Sequence, residues 1–302
     1  MARYLDPKND LIFKRIFGEH EHLCMSLLNS MLPLQPEQQI VELKYQSPEL
    51  TPDIPALKDS IVDVHCEDNF GRQFIVEMQM HWTPGFQSRV LFNASKAYVK
   101  QLDRNKEYRL LQPVYALNLV NKNFDSDPSV YYHHYRIVNV ANTEKRIEGL
   151  EFVFIELLKF RPGNRAEKKL YDLWLRFLTE LNEVDKVPPA LLEEEVIKEA
   201  VQYLESSSYT KEELDAYDRY WDSVRTQRTF YLDALDEGEA IGIEKGRAEG
   251  RAEGEAIGMQ KGEEEATRKV ALNALRNGFS VAQIQALTNL PEEKIREIAP
   301  ST

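Results

Sequence analysis

Ser60-Ile61-Val62-Asp63-Val64-His65-Cys66, Glu67-Asp68-Asn69-Phe70-Gly71-Arg72 and Gln73-Phe74-Ile75-Val76-Glu77-Met78-Gln79-Met80 follow one another without a break. The outer two runs are rich in β-branched and aromatic residues. The middle one is a turn signal with a glycine free to take a positive φ, so the stretch predicts a β-hairpin. Alternate residues of a strand share a face. Ile61, Asp63 and His65 therefore point one way on the first strand. On the second, Ile75, Glu77 and Gln79 point one way, and Phe74, Val76, Met78 and Met80 the other. Cross-strand partners share a face too. Asp63 and Glu77 meet only if the loop holds an odd number of residues, such as three or five, because an even loop sends them to opposite faces. A site shared by the two acids therefore commits to an odd loop.

Two acids set inside Ile-Val-Asp-Val and Ile-Val-Glu-Met repel each other and resist burial without a counter-charge. A divalent cation supplies one. Carboxylates and waters are hard oxygen ligands, which suit Mg2+, with Mn2+ and Ca2+ as alternatives. Such an ion polarises a phosphoryl oxygen and lowers the pKa of a bound water that attacks phosphorus. Gln79, on the face of Glu77, is placed to orient that water, although a neutral amide cannot act as a base. Lys58, near the entrance of the first strand, brings positive charge toward the pentavalent phosphate. Plainer readings stand beside these. Asp63 is then a strand residue paired with Lys58, Lys58 is a solvated surface group, and Gln79 is a polar residue on a wetter face.

Outward from the hairpin, residues 8–17 and 20–32 read as two helices separated by Gly18, and 40–45 as a short strand before a Pro-rich loop. Residues 86–105 read as a helix and 113–120 as an apolar strand. One or two strands follow within 128–160, with Glu151 to Leu157 the best candidate. Strands mixed with helices predict an α/β domain built on a mixed sheet. The net charge of −12 excludes a uniformly basic nucleic-acid coat. Residues 86–122 nevertheless hold seven basic residues against two acidic ones. That run supplies candidate phosphate contacts in Arg89, Lys96 and Lys100, or simply a solvated helix face. Cys24 and Cys66 lie in apolar runs and read as buried reduced thiols. No apolar run is long enough to cross a bilayer and the N-terminus lacks an apolar leader core, so a cytoplasmic protein without a membrane role is expected.

Beyond Pro162 the pattern is helical. Thr210 and Glu213 form a capping box, and an apolar 3–4 spacing runs from Leu214 to Leu235. Glycine then recurs at every fourth position from Gly238 to Gly262, seven of the chain's 13. Each interior helical glycine costs about 1 kcal/mol against alanine. The tract is therefore either a tether or a stripe on which a neighbouring helix or a second subunit packs closely, and packing is the preferred reading. Ser280 and Pro291 start two short helices in the tail. Their composition is too acidic for a DNA-reading pair, so an oligomerisation or capping role is expected.

The run Asp10-Leu11-Ile12-Phe13-Lys14, Lys58 with Val62-Asp63-Val64, Val76-Glu77-Met78-Gln79, Arg89, Gln101 and the glycine tract together resemble the Rpn recombination-promoting nucleases, also called PD-(D/E)XK nuclease family transposases. The resemblance covers most of the chain. It implies a restriction-endonuclease-like mixed sheet with flanking helices, followed by an α-helical C-terminal region. It also implies divalent-metal DNA endonuclease activity, a link to recombination or horizontal transfer, and a homo-oligomer formed through the C-terminal helices. It gives Asp63 the role of the central metal-binding acid and Glu77 that of the second acid. Gln79 stands where the wider superfamily has lysine, and Lys58 is expected to restore the missing charge. Asp10 is a candidate third acidic ligand. Arg89, Lys96, Lys100 and Gln101 are candidate DNA contacts, with capping of the sheet the alternative for Arg89 and Gln101. The motif's opening Pro-Asp is not evident. The expected organisation is a nuclease domain over 1–160, a helical domain over 161–236, the glycine repeat over 237–265 and a small helical oligomerisation segment over 266–302. A catalytically silent protein that binds DNA or partners and self-associates through its tail is the competing class. A pure coiled-coil scaffold fits 210–265 but leaves the buried acids unexplained.

Overall fold

The computed structural model describes residues 3–50, 61–102, 107–163 and 169–298. Lys58 lies outside them. In chain order the elements are α1 (Asp10–Phe17), α2 (Glu21–Met31), β1 (Leu43–Tyr45), β2 (Val64–Asp68), β3 (Gln73–Gln79), α3 (Pro84–Lys100), β4 (Val114–Val120), β5 (Tyr132–Asn139), β6 (Asn142–Glu156), α4 (Lys169–Glu180), α5 (Glu195–Gln202), α6 (Lys211–Arg276), α7 (Val281–Thr288) and α8 (Glu292–Ile298). The strands form one sheet in the order β1-β2-β3-β4-β6-β5. The β3–β4 and β4–β6 pairs are parallel and the remaining pairs antiparallel, so the sheet is mixed as expected. Every residue of β4 is buried, as befits a central strand covered on both faces.

Side-chain alternation divides the interior into two cores. Phe74, Val76, Met78, Tyr115, Leu117, Leu119, Val153 and Ile155 face α1, α2, α4 and α5. Ile75, Val114, Ala116, Val120 and Phe154 face α3 through Phe86, Val90, Ala94 and Ala97. The chain divides into two compact units, Met1–Arg228 and Thr229–Thr302. In the first unit α4 and α5 bury Trp174, Phe177, Leu178, Ile197 and Val201 in the same core as the sheet. The start of α6 is fastened there as well. Tyr217 Oη accepts a hydrogen bond from Asp6 N at 3.0 Å and donates to Glu183 Oε1 at 2.8 Å, and the Thr210–Glu213 capping box forms.

In the second unit Ala271, Ile284 and Ile295 make a small core of their own. Gly278 takes φ +81°, and the amides of Gly278 and Phe279 bond back to Leu275 O and Ala274 O, closing α6. The glycine tract lies within α6, and nothing stands within 4 Å of the position a Cβ would occupy at any of its seven glycines. No described part of the chain therefore packs on that stripe. Among the described residues, no helix is long and apolar enough to cross a membrane.

Candidate active site

Asp68 decides the hairpin's register. Its Oδ1 accepts the amides of Phe70 and Arg72 at 3.0 and 2.9 Å, its Oδ2 takes Arg72 Nε at 2.6 Å, and Gly71 adopts φ +80°. Glu67 then pairs with Gln73, leaving five residues between them, an odd number. His65 faces Ile75, and the same register carried outward sets Asp63 opposite Glu77. The strand expected from residue 60 starts only at Val64. The physical reason lies in Asp63 itself, whose Oδ2 accepts the Met78 amide at 2.7 Å. A side-chain oxygen thus takes the place of a ladder carbonyl, and the backbone bends there.

Glu77 is 5 % exposed on the α3 face of β3. Its Oε1 accepts from Asn93 Nδ2 at 3.3 Å, and its Oε2 lies 3.6 Å from an Arg89 terminal nitrogen. Asn93 and Arg89 stand one turn apart on α3, so a single helix face serves one carboxylate. Burial pushes the Asp63 carboxyl up to about 6, against the Met78 amide and the charges of Lys14 and Arg89, which favour the anion. Burial and then the neighbouring Asp63 push Glu77 up to about 7, opposed by Arg89, Asn93 and Lys14. Two neighbouring acids raised by burial, with Asp63 further holding back the ionisation of Glu77 and Asp10 that of Asp63, are a place where positive charge is missing.

Asp10 reaches the same region from the first turn of α1. Its charge raises the Asp63 pKa, and its own carboxylate pairs with Lys14 Nζ at 2.7 Å. Gln79 is bracketed, its Nε2 donating to His81 O at 2.6 Å and its Oε1 accepting from Arg89 at 2.7 Å. The expected DNA contacts separate. Lys96 Nζ donates to Leu50 O and lies 5.0 Å from the Phe92 ring. Gln101 clamps the backbone of Gln112 with both ends of its amide, at 2.9 and 2.8 Å, tying the end of α3 to the approach of β4. Lys100 is exposed and lines, with His65, Gln73 and Gln101, a cavity of about 430 Å³.

Four nearby side chains have no role in the sequence reading. Lys14 was present there only as the end of the Asp10-to-Lys14 run, although its i,i+4 spacing from Asp10 was a usable signal. Asn93, Tyr220 and Asn118 had none. Burial raises the Tyr220 phenol, and so do the charges of Asp10 and Asp63, which brings the start of α6 to the site. Asn118 is the register neighbour of Glu77 on β4. It is fully buried, donating to Ala116 O and Val153 O while its Oδ1 has no hydrogen-bond partner. Among the described residues, no three His, Cys, Asp or Glu side chains come together as a metal cluster.

A mixed sheet carrying an aspartate and a Glu-x-Gln on one hairpin defines a nuclease-type α/β protein. A family model described as PD-(D/E)XK nuclease family transposase matches residues 7–228, and the chain belongs to that family. The match ends where the first compact unit ends. No curated protein and no solved structure matches the chain.

Proposed function

We propose that this protein is a divalent-metal-dependent DNA endonuclease that hydrolyses phosphodiester bonds, linked to recombination or horizontal gene transfer. One observation carries the reading: the hairpin register sets the half-buried Asp63 opposite the buried Glu77, with both carboxyls pushed upward. A structural ion pair would instead hold such carboxyls in their anionic form. Family membership supports the same chemistry.

The donor set fits Mg2+, or Mn2+ and Ca2+ in its place. Magnesium takes one or two protein carboxylates and fills its remaining positions with water and substrate phosphate oxygens, so two acids suffice. Asp63 and Glu77 would hold the ion. When bound, it would supply charge at the phosphoryl oxygen and a more acidic water. The chain's own residues prepare the place. The Met78 amide fixes the Asp63 carboxylate, and Asn93 fixes Glu77. Asp10 adds acidic charge from α1, balanced by Lys14. Exposed Lys100 and Arg89 remain to meet DNA phosphate, while Lys96 and Gln101 are engaged in holding α3.

Cleavage of supercoiled and nicked DNA with each of the three metals tests the reading. Asp63→Ala and Glu77→Ala should each cut at least about 100-fold more slowly, the upper end of what losing a mere partner of a metal ligand costs. Both variants should melt as folded proteins. A wild-type chain that cuts with none of the three metals favours the silent DNA- or partner-binding alternative.

A further inference from the structure

We propose that the cation acting on the phosphate in this site is Arg89, delivered from α3 and aimed by Gln79, in place of a lysine borne by the sheet. The proposal rests on the phosphodiesterase reading above. Gln79 follows Glu77 by two residues on the same face and carries no charge. Its Nε2 is held by His81 O, which turns Oε1 the other way, onto an Arg89 terminal nitrogen at 2.7 Å. That same nitrogen lies 3.6 Å from Glu77 Oε2. The guanidinium therefore occupies the space that the tip of a long basic side chain at position 79 would reach.

Its setting suits the task. Arg89 is half-exposed, with 49 % of its side chain open to solvent, while Glu77 beside it is buried. The charge thus sits at the solvent-exposed rim beside the buried Glu77. Both polar contacts fall on one terminal nitrogen, and the other N–H groups make no hydrogen bond to the described residues. A planar fork with free donors matches two oxygens of a phosphate. The base of the side chain is fixed, since the Phe86 ring lies 5.0 Å from the guanidinium and Phe86, Val90 and Ala94 are buried against the sheet. Lys14, the other cation felt by both acids, is already paired with Asp10 at 2.7 Å. Lys96 is turned away toward Leu50 O. Arg89 is held by a neutral amide and a more distant carboxylate, so its charge is less compensated than that of Lys14. It acts by charge and hydrogen-bond donation alone. Its N–H groups meet the non-bridging oxygens as negative charge grows on them.

Full-length Arg89→Ala, Arg89→Lys, Gln79→Ala, Lys14→Ala and Lys58→Ala are compared by single-turnover cleavage at saturating DNA with magnesium. In parallel, affinity for the same duplex is measured with calcium by fluorescence anisotropy, and melting temperature is recorded. Arg89→Ala should slow the cutting step about 100-fold or more, as loss of one transition-state donor does. Its affinity for DNA in calcium should change far less, and its melting temperature should stay near that of the wild type. Arg89→Lys should recover part of the rate, and Gln79→Ala should lose less than Arg89→Ala. The inference is overturned if Arg89→Ala cuts normally, if it loses affinity and rate equally as a simple DNA contact would, or if Lys14→Ala or Lys58→Ala alone abolishes cutting. Failure of the wild type itself to cut removes the nuclease reading and the catalytic role together. A cutting wild type beside a cutting Arg89→Ala removes only the latter.

Discussion

Asp63 and Glu77 stand at the centre of the molecule's electrostatic tension, and the tension has a sign. Both carboxyls titrate higher in the folded chain than their ordinary values of 3.8 and 4.5, Asp63 at about 6 and Glu77 at about 7. Between those limits the folded state holds protons that the unfolded state has released. Stability from these two groups is therefore present below about pH 4, is lost as pH rises through 6 and 7, and is absent at pH 8. In chelator-treated protein, Asp63→Asn and Glu77→Gln should accordingly be more stable than wild type at pH 8, by roughly 1–2 kcal/mol each. The advantage should be smaller at pH 5, where the folded carboxyls are largely protonated, and should vanish only below about pH 4. Urea melts at the two pH values measure it, and a variant equally stable or weaker than wild type at pH 8 would count against a strained acid pair. Magnesium should raise the wild-type midpoint at pH 8 and leave that of Glu77→Gln nearly unmoved.

At the level of elements, hairpin and glycine helix differ in how they are held. The hairpin is fixed from within by Asp68 and Arg72, which lie almost wholly out of solvent and set the five-residue connection. The glycine helix has no such support, since its small-residue stripe meets nothing within the described chain. A cost of about 1 kcal/mol per glycine must then be offset by a second copy or simply borne. We expect the former. Deleting residues 238–262 should shift the protein to a smaller species in light scattering. Replacing Gly246, Gly250 and Gly254 by alanine should do the same while raising helicity, because a Cβ obstructs close packing but improves the lone helix. An unchanged mass in both variants makes the tract a tether.

On the scale of the whole molecule, the first unit contains the sheet, both of its cores and the family match. The opening turns of α6 belong to it through Tyr217, Asn9 and the Arg15–Glu213 pair at 3.3 Å. A chain ending at residue 228 should therefore fold cooperatively and keep metal-dependent cutting, though at lower apparent affinity if the second unit supplies self-association. One ending near residue 205 should be less stable, since it leaves the amide of Asp6 without the Tyr217 hydroxyl. Thermal melts and cleavage by the two truncations test this, and an unfolded 1–228 chain would show that the units depend on each other.

Much was determined by order along the chain alone. Alternation in 73–80 divided β3 into an apolar face and a face bearing Glu77 and Gln79; a shared site for Asp63 and Glu77 required an odd connection, and the local bonds of Asp68 with Arg72 make it one of five residues. Those are consequences of a period of two and of local hydrogen bonding, which act between near neighbours. What the tertiary structure decided was long-range. It joined the Asp63 carboxylate to the Met78 amide and set Asn93 and Arg89 over the acids. It brought Lys14 and Tyr220 in from helices at the two ends of the first unit, and it spent Gln101 on Gln112. No periodicity announces such contacts, because they depend on where α1, α3 and α6 come to rest against the sheet. That placement follows from the packing of two cores assembled from the whole unit.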